Sequence, residues 1–430
     1  MNAPSLWRAM GAAAPDRPVM QGVHETEIAI VGAGIAGLSL ACDLADAGRS
    51  VCVIEAEEPG SGALGASAGI VAPQLVRTTP NKVLARLGRE VGPGWLTLVG
   101  ESGQHLFNKI AQLKIDCDAR PYGFISPARG ADALERLKGV VEEWAPFRQD
   151  LTAIDADEVI AQSGCRGYSA AIIDASGGGV NPLRLAAGLA TRSVEFGAGL
   201  FYHSRAERLE KFGDGWRLVT ANGELRARTV VLCANGGNQM LHPALDSTVL
   251  PLRVHELATA PVSDALRAAT LPGGQALTDL ELDIFSIRYA EGERIITYYP
   301  VTGGASLETV EKAVNRRLSH MLVAYEPVRI EHLWEGVAWM NSSLLPRVVT
   351  LGPGLLAVQA CNGRGIATNA IVGRELSRML LSEGAYRPTI AYESPNPIAR
   401  VPFMRHVPDM LMRTALAVRQ LRASLLGRAS

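Results

Sequence analysis

Apolar residues along this chain gather in short blocks that run into glycine. Ile28-Ala29-Ile30-Val31 follows Glu27 and leads straight into Gly32-Ala33-Gly34-Ile35-Ala36-Gly37. A short apolar run without alternation predicts a strand buried on both faces. Leu and Ala dominate from Leu38 to Ala47, which predicts a helix that Gly48 ends. Ser50 to Ile54 reads as a second strand, closed by Glu55. Two later blocks repeat the order of strand, then glycine. One is Arg228–Leu232 before Cys233-Ala234-Asn235-Gly236-Gly237. The other is Leu355–Gln359 before Ala360-Cys361-Asn362-Gly363-Arg364-Gly365-Ile366, and a helix through Gly373-Arg374-Glu375-Leu376 follows it. Arg253–Ala260, between Pro251 and Pro261, predicts a further strand. Ile284–Tyr289 and Arg294–Tyr299, joined by Ala290-Glu291-Gly292-Glu293, predict a hairpin.

The first block has the GxGxxG spacing in its full context of strand, helix, second strand and terminal acid. Gly32 permits the tight turn, Gly34 lets backbone approach a pyrophosphate, and Gly37 lets helix and strand pack closely. The helix N-terminus offers free N–H groups and a positive dipole end to phosphate. Glu55 stands where a carboxylate reaches a ribose hydroxyl, and an acid there disfavours a 2′-phosphorylated nucleotide. On these residues alone NAD and FAD both remain open.

Composition narrows the class. Over 430 residues, two or three domains are expected. With 47% hydrophobic and 20% charged residues the chain is ordinary globular material. Lys plus Arg number 42 against 43 Asp plus Glu, so no electrostatic footprint for nucleic acid exists over the chain as a whole. Six cysteines at 42, 52, 117, 165, 233 and 361 form no CxxC pair, so no zinc or other metal cluster of usual spacing is expected. Their scattered, apolar surroundings predict reduced, buried thiols and a cytoplasmic protein. No apolar run is long enough for a membrane span, and Arg8, Asp16 and Arg17 interrupt any signal-peptide core.

Beyond Glu55, the loop Gly62-Ala63-Leu64-Gly65-Ala66-Ser67-Ala68-Gly69 suits backbone contact with a bulky flat ligand. Together with the three strand–glycine blocks, it resembles the FAD-dependent D-amino-acid oxidase superfamily. The likeness is nearest to its gamma-glutamylputrescine oxidoreductase branch, alongside glycine oxidase and D-amino-acid dehydrogenase. Leu6-Trp7-Arg8-Ala9, the stretch from Trp334-Glu335-Gly336 to Leu345-Pro346-Arg347, and Asn362-Gly363-Arg364-Gly365 carry it. The resemblance implies an α/β fold. A Rossmann-type FAD-binding domain would be assembled from 23–83, 165–250 and 328–400. A mixed α+β substrate domain with an antiparallel sheet would come from 84–164 and 251–327.

It also implies roles. Gly32, Gly34, Ile35, Ala36, Gly37, Glu55 and Ala56 would hold the ADP half of FAD, with Ala206 against adenine. Ala66, Ser67 and Ala68 would meet the flavin end, with Ala234, Asn235 and Gly236 in the second glycine turn. Gly363, Arg364, Gly365 and Ile366 would line the pyrimidine edge of the ring. Relatives that hold flavin covalently use a Cys in the region matching Trp339–Leu345; none stands there, so noncovalent FAD is implied. Ser343 replaces an Asp frequent in the branch, and Tyr298-Tyr299-Pro300 replaces a Gly pair.

The implied reaction is hydride transfer from the carbon of a C–N bond to flavin N5, giving an imine that hydrolyses. Such chemistry needs positioning more than an acid–base dyad. Arg288, at a place matching a family Arg, would fork onto the carboxylate of an amine or amino-acid substrate. A solvated strand-end arginine is the competing reading. Arg364 faces either cofactor or substrate mouth, or is a structural cap. His255 stands where relatives often have Tyr, as a site residue or a core histidine. Tyr298, Tyr299, Trp334 and Trp339 form an aromatic wall or plain core.

Relatives that use oxygen place a Lys of the substrate-domain sheet beside N5; no Lys occurs from Pro251 through Pro300, so the resemblance implies slow oxygen reduction unless Arg288, Arg364 or a protonated His255 supplies the cation. That leans towards a dehydrogenase with a quinone acceptor over an oxidase using oxygen. Residues 401–430 read as a basic amphipathic C-terminal helix, with Arg405, Arg413, Arg419, Arg422 and Arg428, which docks on anionic lipid or on the protein itself. A flavin-binding assembly protein without turnover is the alternative from another class.

Overall fold

The computed structural model describes residues 4–398 apart from 12–13, 15, 282, 301–304, 383–384 and 387–388, together with 414. The expected C-terminal helix therefore lies outside the described residues.

Two large sheets organise the described residues, beside a small pair, Ile70–Val71 with Gly178–Gly179. The first has nine strands, seven of them in the order Ala391–Glu393, Arg347–Gly352, Leu355–Gln359, Gly223–Leu232, Gly22–Val31, Val51–Ile54, Gly199–Phe201. Gly22–Val31 lies at its centre, parallel to Val51–Ile54 and to Gly223–Leu232. Ile28 to Val31 and Val51 to Ile54 are buried without a break, as non-alternating runs require. Successive residues serve opposite layers. Ile28 and Ile30 face the helices Ile35–Asp46, Pro182–Glu195 and Gly365–Leu381, while Ala29 and Val31 pack with Leu218, Leu225 and Leu245 on the other side. The central strand begins earlier than its apolar block because Gly22–Thr26 pairs with Gly223–Ala227.

The second sheet has eight strands in the order Ile330–Asn341, Val249–Pro261, Arg294–Tyr298, Ser286–Ala290, Ala276–Thr278, Phe124–Ala128, Ala170–Asp174, Leu151–Asp155. All neighbours are antiparallel except Ala276–Thr278 with Phe124–Ala128. The hairpin forms as expected, Ser286–Ala290 against Arg294–Tyr298. One face of this sheet is covered by the helix Leu307–Met321, whose Val310, Val314 and Leu318 meet Leu257, Ile287, Tyr289 and Ile295.

The elements divide between the sheets differently from the expected segments. Ala170–Asp174 and Ile330–Asn341 join the second sheet, not the first. Ile330–Asn341 does so because it runs antiparallel to Val249–Pro261 over its whole length, from Val249↔Asn341 to Thr259↔Ile330. The long helix Pro80–Gln112, kinked at Gly88, buries Trp95, Leu96, Val99 and Leu106 in the same core as the helices over the first sheet. An apolar stripe says that a helix packs, but not against which layer.

Candidate functional site

A cavity of about 810 Å³ runs from the C-terminal end of the central strand to the uncovered face of the second sheet. Its first half is backbone. Gly32 has φ of 104°, a conformation that suits only glycine, and its N–H donates to Ile54 O at 2.9 Å. A Cβ on Gly37 would lie 2.1 Å from Gly32 O, so that glycine serves packing and does not line the cavity. A Cβ on Gly34 would meet no protein atom within 4 Å, so the space beside Gly34 is open to a ligand. Gly34 also caps the helix Ile35–Asp46 with no side-chain acceptor, leaving its first N–H groups to the cavity. Glu55 accepts from Ala33 N–H at 2.7 Å and from Glu57 N–H at 3.0 Å, while burial pushes its pKa up. Ile35, Ala36, Ala56, Arg205 and Ala206 complete this end.

Further along, the cavity passes the loop Ala66–Ala68. Three consecutive carbonyls of this loop are pinned by distant donors. Trp334 Nε1 donates to Ala66 O at 3.0 Å, Trp7 Nε1 to Ser67 O at 2.9 Å, and Arg288 Nε to Ala68 O at 2.6 Å. Ala234, Asn235, Gly363, Arg364, Gly365 and Ile366 also line the cavity. Gly236 does not. It sits beneath the indole of Trp339, where a Cβ would come within 2.3 Å of the ring, so it lets the tryptophan close on the turn rather than touching a ligand. The helix Gly365–Leu381 starts at Arg364 without a side-chain cap, a second free helix N-terminus at the cavity.

Arg288 corrects the first candidate for a substrate anchor. It is 1% exposed and absent from the cavity wall. Besides Ala68 O, its Nη2 donates to Val180 O at 2.8 Å and its Nη1 to Tyr289 O at 3.4 Å, and it lies 5.2 Å from the Trp7 ring centroid. With its fork on backbone carbonyls, it fastens the loop and has no face left for a carboxylate. His255 is corrected too. It points away from the cavity, its Nε2 3.5 Å from Glu335 Oε2, beside Arg253, which also pairs with Glu335. Trp334 is engaged with the loop, whereas Tyr298 and Trp339 line the cavity.

Arg364 behaves oppositely to Arg288. It lines the cavity, its guanidinium lies 5.6 Å from the Phe124 ring centroid, and its Nη1 is buried without a hydrogen-bond partner. Burial pulls its pKa down, yet an arginine that starts above 12 stays charged. A buried guanidinium N–H without an acceptor is completed by an anion. One lining residue was not foreseen: Glu256, buried at 8% exposure, with Oε2 lacking any partner. Its signal was present in the alternation of its strand, where Leu252, Val254 and Glu256 share the cavity face and Arg253 and His255 the other.

The geometry defines a dinucleotide cofactor cradle opening into a substrate chamber. FAD fits it by shape: a ligand-sized gap at Gly34, two uncapped helix N-termini and an elongated cavity joining them. Gly32, Gly34 and Ala36 would hold the pyrophosphate, Glu55 and Ala206 the adenosine end, and the 66–68 and 363–366 loops the flavin.

The chain belongs to the DAO family of FAD-dependent oxidoreductases, whose model matches residues 27–379. It is 26% identical over 361 residues to gamma-glutamylputrescine oxidoreductase of Escherichia coli, covering 82% of this chain and 83% of that protein. Among solved structures it is similar to glycine oxidase from Geobacillus kaustophilus, with TM-score 0.70, 20% identity and coverage of 88% and 99%. It is likewise similar to L-amino acid deaminase from Proteus vulgaris, with TM-score 0.71, 16% identity and coverage of 90% and 97%. FAD dependence, the oxidoreductase class and the mixed α/β architecture expected from the residues are therefore established. Among the described residues no helix is long and apolar enough to cross a membrane.

Proposed function

We infer that this protein oxidises the C–N bond of an amine or amino acid, using noncovalent FAD, to an imine that water hydrolyses. The observation that carries this is Arg364: a half-buried arginine whose Nη1 is buried and unpartnered, lining the cavity beside the cofactor loops. Its fork receives a substrate carboxylate and orients the adjoining carbon. Tyr298 and Trp339 bound the chamber and keep water from it. When bound, FAD supplies the acceptor for the hydrogen and electron pair that leave that carbon. Relatives named for gamma-glutamylputrescine, glycine and L-amino acids support a nitrogen-bearing substrate. Lys82 is the one lysine among the described lining residues, and it stands outside the 251–300 wall. With Arg364 taken up by the substrate carboxylate, that supports a quinone-type acceptor over oxygen.

The test is anaerobic bleaching of the bound flavin by a panel of amines and amino acids, followed by mixing with oxygenated buffer or a soluble quinone. Bleaching by at least one panel member, with faster reoxidation by quinone, is expected. No bleaching by any member sinks the reaction class, and oxygen reoxidation as fast as turnover sinks the choice of acceptor. FAD should leave the denatured chain; a flavin that stays with it, on Cys233 or Cys361 of the cavity wall, removes the noncovalent reading.

A further inference from the structure

We propose that Glu256 is the amine-binding residue of the chamber: it pairs with the substrate's ammonium group and accepts one proton from it, leaving the neutral amine that can be oxidised. This rests on the reaction class above and names the group that selects the nitrogen.

Geometry sets Glu256 apart from every other acid near the site. It occupies the third place in the apolar row Leu252, Val254, Glu256 that forms a cavity wall. It is 8% exposed, one carboxyl oxygen is buried with no donor, and no ion pair within 4 Å reaches it among the described residues. Its neighbours across the sheet are Tyr298 on one side and Trp334 on the other. Tyr298 is the titratable group facing it from the Arg294–Tyr298 strand, and Arg288 the charged one from Ser286–Ala290. The N–H groups of Arg288 already serve Ala68, Val180 and Tyr289 carbonyls, so it attracts Glu256 only at a distance. On the Ile330–Asn341 strand Glu335 faces the other way with His255 and Arg253. The loop beside Trp334 presents Ser67, and the other charged groups of the cavity wall include Arg364, Arg77, Asp279 and Glu281.

A carboxyl so placed is not a packing element, since a Leu or Met would fill the space without an unsatisfied oxygen. Burial holds it neutral until its pKa of about 8. A carboxylate whose Oε2 meets no donor among the described residues is completed by a cation with N–H groups, which is what a protonated amine brings. Entry of the ammonium ion expels the Glu256 proton to solvent and forms the ion pair. The ion pair is the resting bound form; from it one N–H bond of the ammonium breaks in a reversible, minor step, its electron pair stays on nitrogen, and the proton forms the O–H bond of Glu256. Nothing is oxidised in this step, and the charge balances: ammonium and carboxylate become amine and carboxylic acid. Arg364 holds the opposite charge in the same cavity, so the chamber distinguishes the two ends of a zwitterion.

The experiment uses the FAD-loaded protein and n-butylamine as probe, under anaerobic conditions. Infrared difference spectra of wild type against Glu256→Gln should contain a protonated-carboxyl band that titrates near pH 8 and is missing from the variant. Adding n-butylamine at about pH 7 should erase the band and release close to one proton per site. Butylamine affinity, read from the flavin spectrum, should tighten by roughly tenfold for each unit that pH rises towards 8 in wild type and stay flat in Glu256→Gln. Glu256→Asp should restore the slope. Equal affinity and slope in wild type and Glu256→Gln, or a band that butylamine leaves untouched, overturns the proposal. These signals do not require turnover. Loss of the band without bleaching by any substrate therefore retires the reaction class and keeps the amine site, and bleaching without loss of the band does the reverse.

Discussion

At its cofactor end the cavity is walled by the backbone of one continuous stretch, Gly32 to Ala36, with Glu55 one strand away. At its chamber end it is walled by the side chains of Glu256, Tyr298, Trp339 and Arg364, each from a different strand or helix start. Local geometry builds the first: a glycine with positive φ, an uncapped helix, a packing glycine. Sheet register and face build the second, since a side chain one position along its strand, as His255 is to Glu256, points the other way. The two arginines repeat the contrast. Arg288 secures backbone, and Arg364 keeps a buried Nη1 without a partner on the cavity wall.

The sharpest break of this comparison lies in two glycines. Gly34→Val finds room in the protein but takes the ligand's space, so the variant should fold and lose FAD retention by at least ~100-fold. Gly37→Val, with its Cβ 2.1 Å from Gly32 O, should fail to fold at all. The FAD-to-protein absorbance ratio and the circular-dichroism melt check both, and stoichiometric FAD in Gly34→Val would refute the division of labour.

The arginines come next. Arg288→Met should cost roughly 2–5 kcal/mol, because buried carbonyls of Ala68 and Val180 lose their donor. Arg364→Met should leave the denaturant midpoint unchanged or higher, because it removes a guanidinium N–H buried without an acceptor. It should instead lower preference for carboxylate-bearing over plain amine substrates by about 10- to 100-fold. A reversal of the two outcomes would exchange their roles.

The smallest effect concerns Glu256. Burial raises its folded-state pKa from 4.5 to about 8, so the folded protein binds more protons than the unfolded chain between these values. The stability it contributes is present below about pH 4.5 and is lost as pH rises through about 8. Relative to Glu256→Gln, wild type without amine should lose roughly 2–3 kcal/mol from about pH 5 to 7. Parallel pH profiles of the two proteins would show that the carboxyl is solvated.

Much of the cofactor end was legible in the residues because it depends on neighbours in the chain. GxGxxG between an apolar strand and an Ala/Leu helix admits few conformations, and Gly32, Gly34 and Gly37 divide their tasks as their spacing indicates. Gly236 was misread: a glycine after a strand serves a ligand or a neighbouring ring alike, and only Trp339, about a hundred positions later, decides which. Arg288 matched a family arginine, yet nothing in its own stretch reveals that Trp7, Trp334 and Arg288 converge on one loop. Glu256 was the reverse case, an acid in an apolar alternating row beside the more conspicuous His255.

The sequence alone determined the central strand and its turn, the helix and acid that follow, the hairpin, and a dinucleotide cofactor, with FAD itself implied by the family resemblance. Each follows from residue type and local spacing, through sterics and burial over a few residues. Only the tertiary structure decided which sheet claims Ala170–Asp174 and Ile330–Asn341, which arginine meets the cavity, and which face of Val249–Pro261 looks into it. Those depend on long-range register, where a shift of one residue exchanges the buried wall for the outer surface.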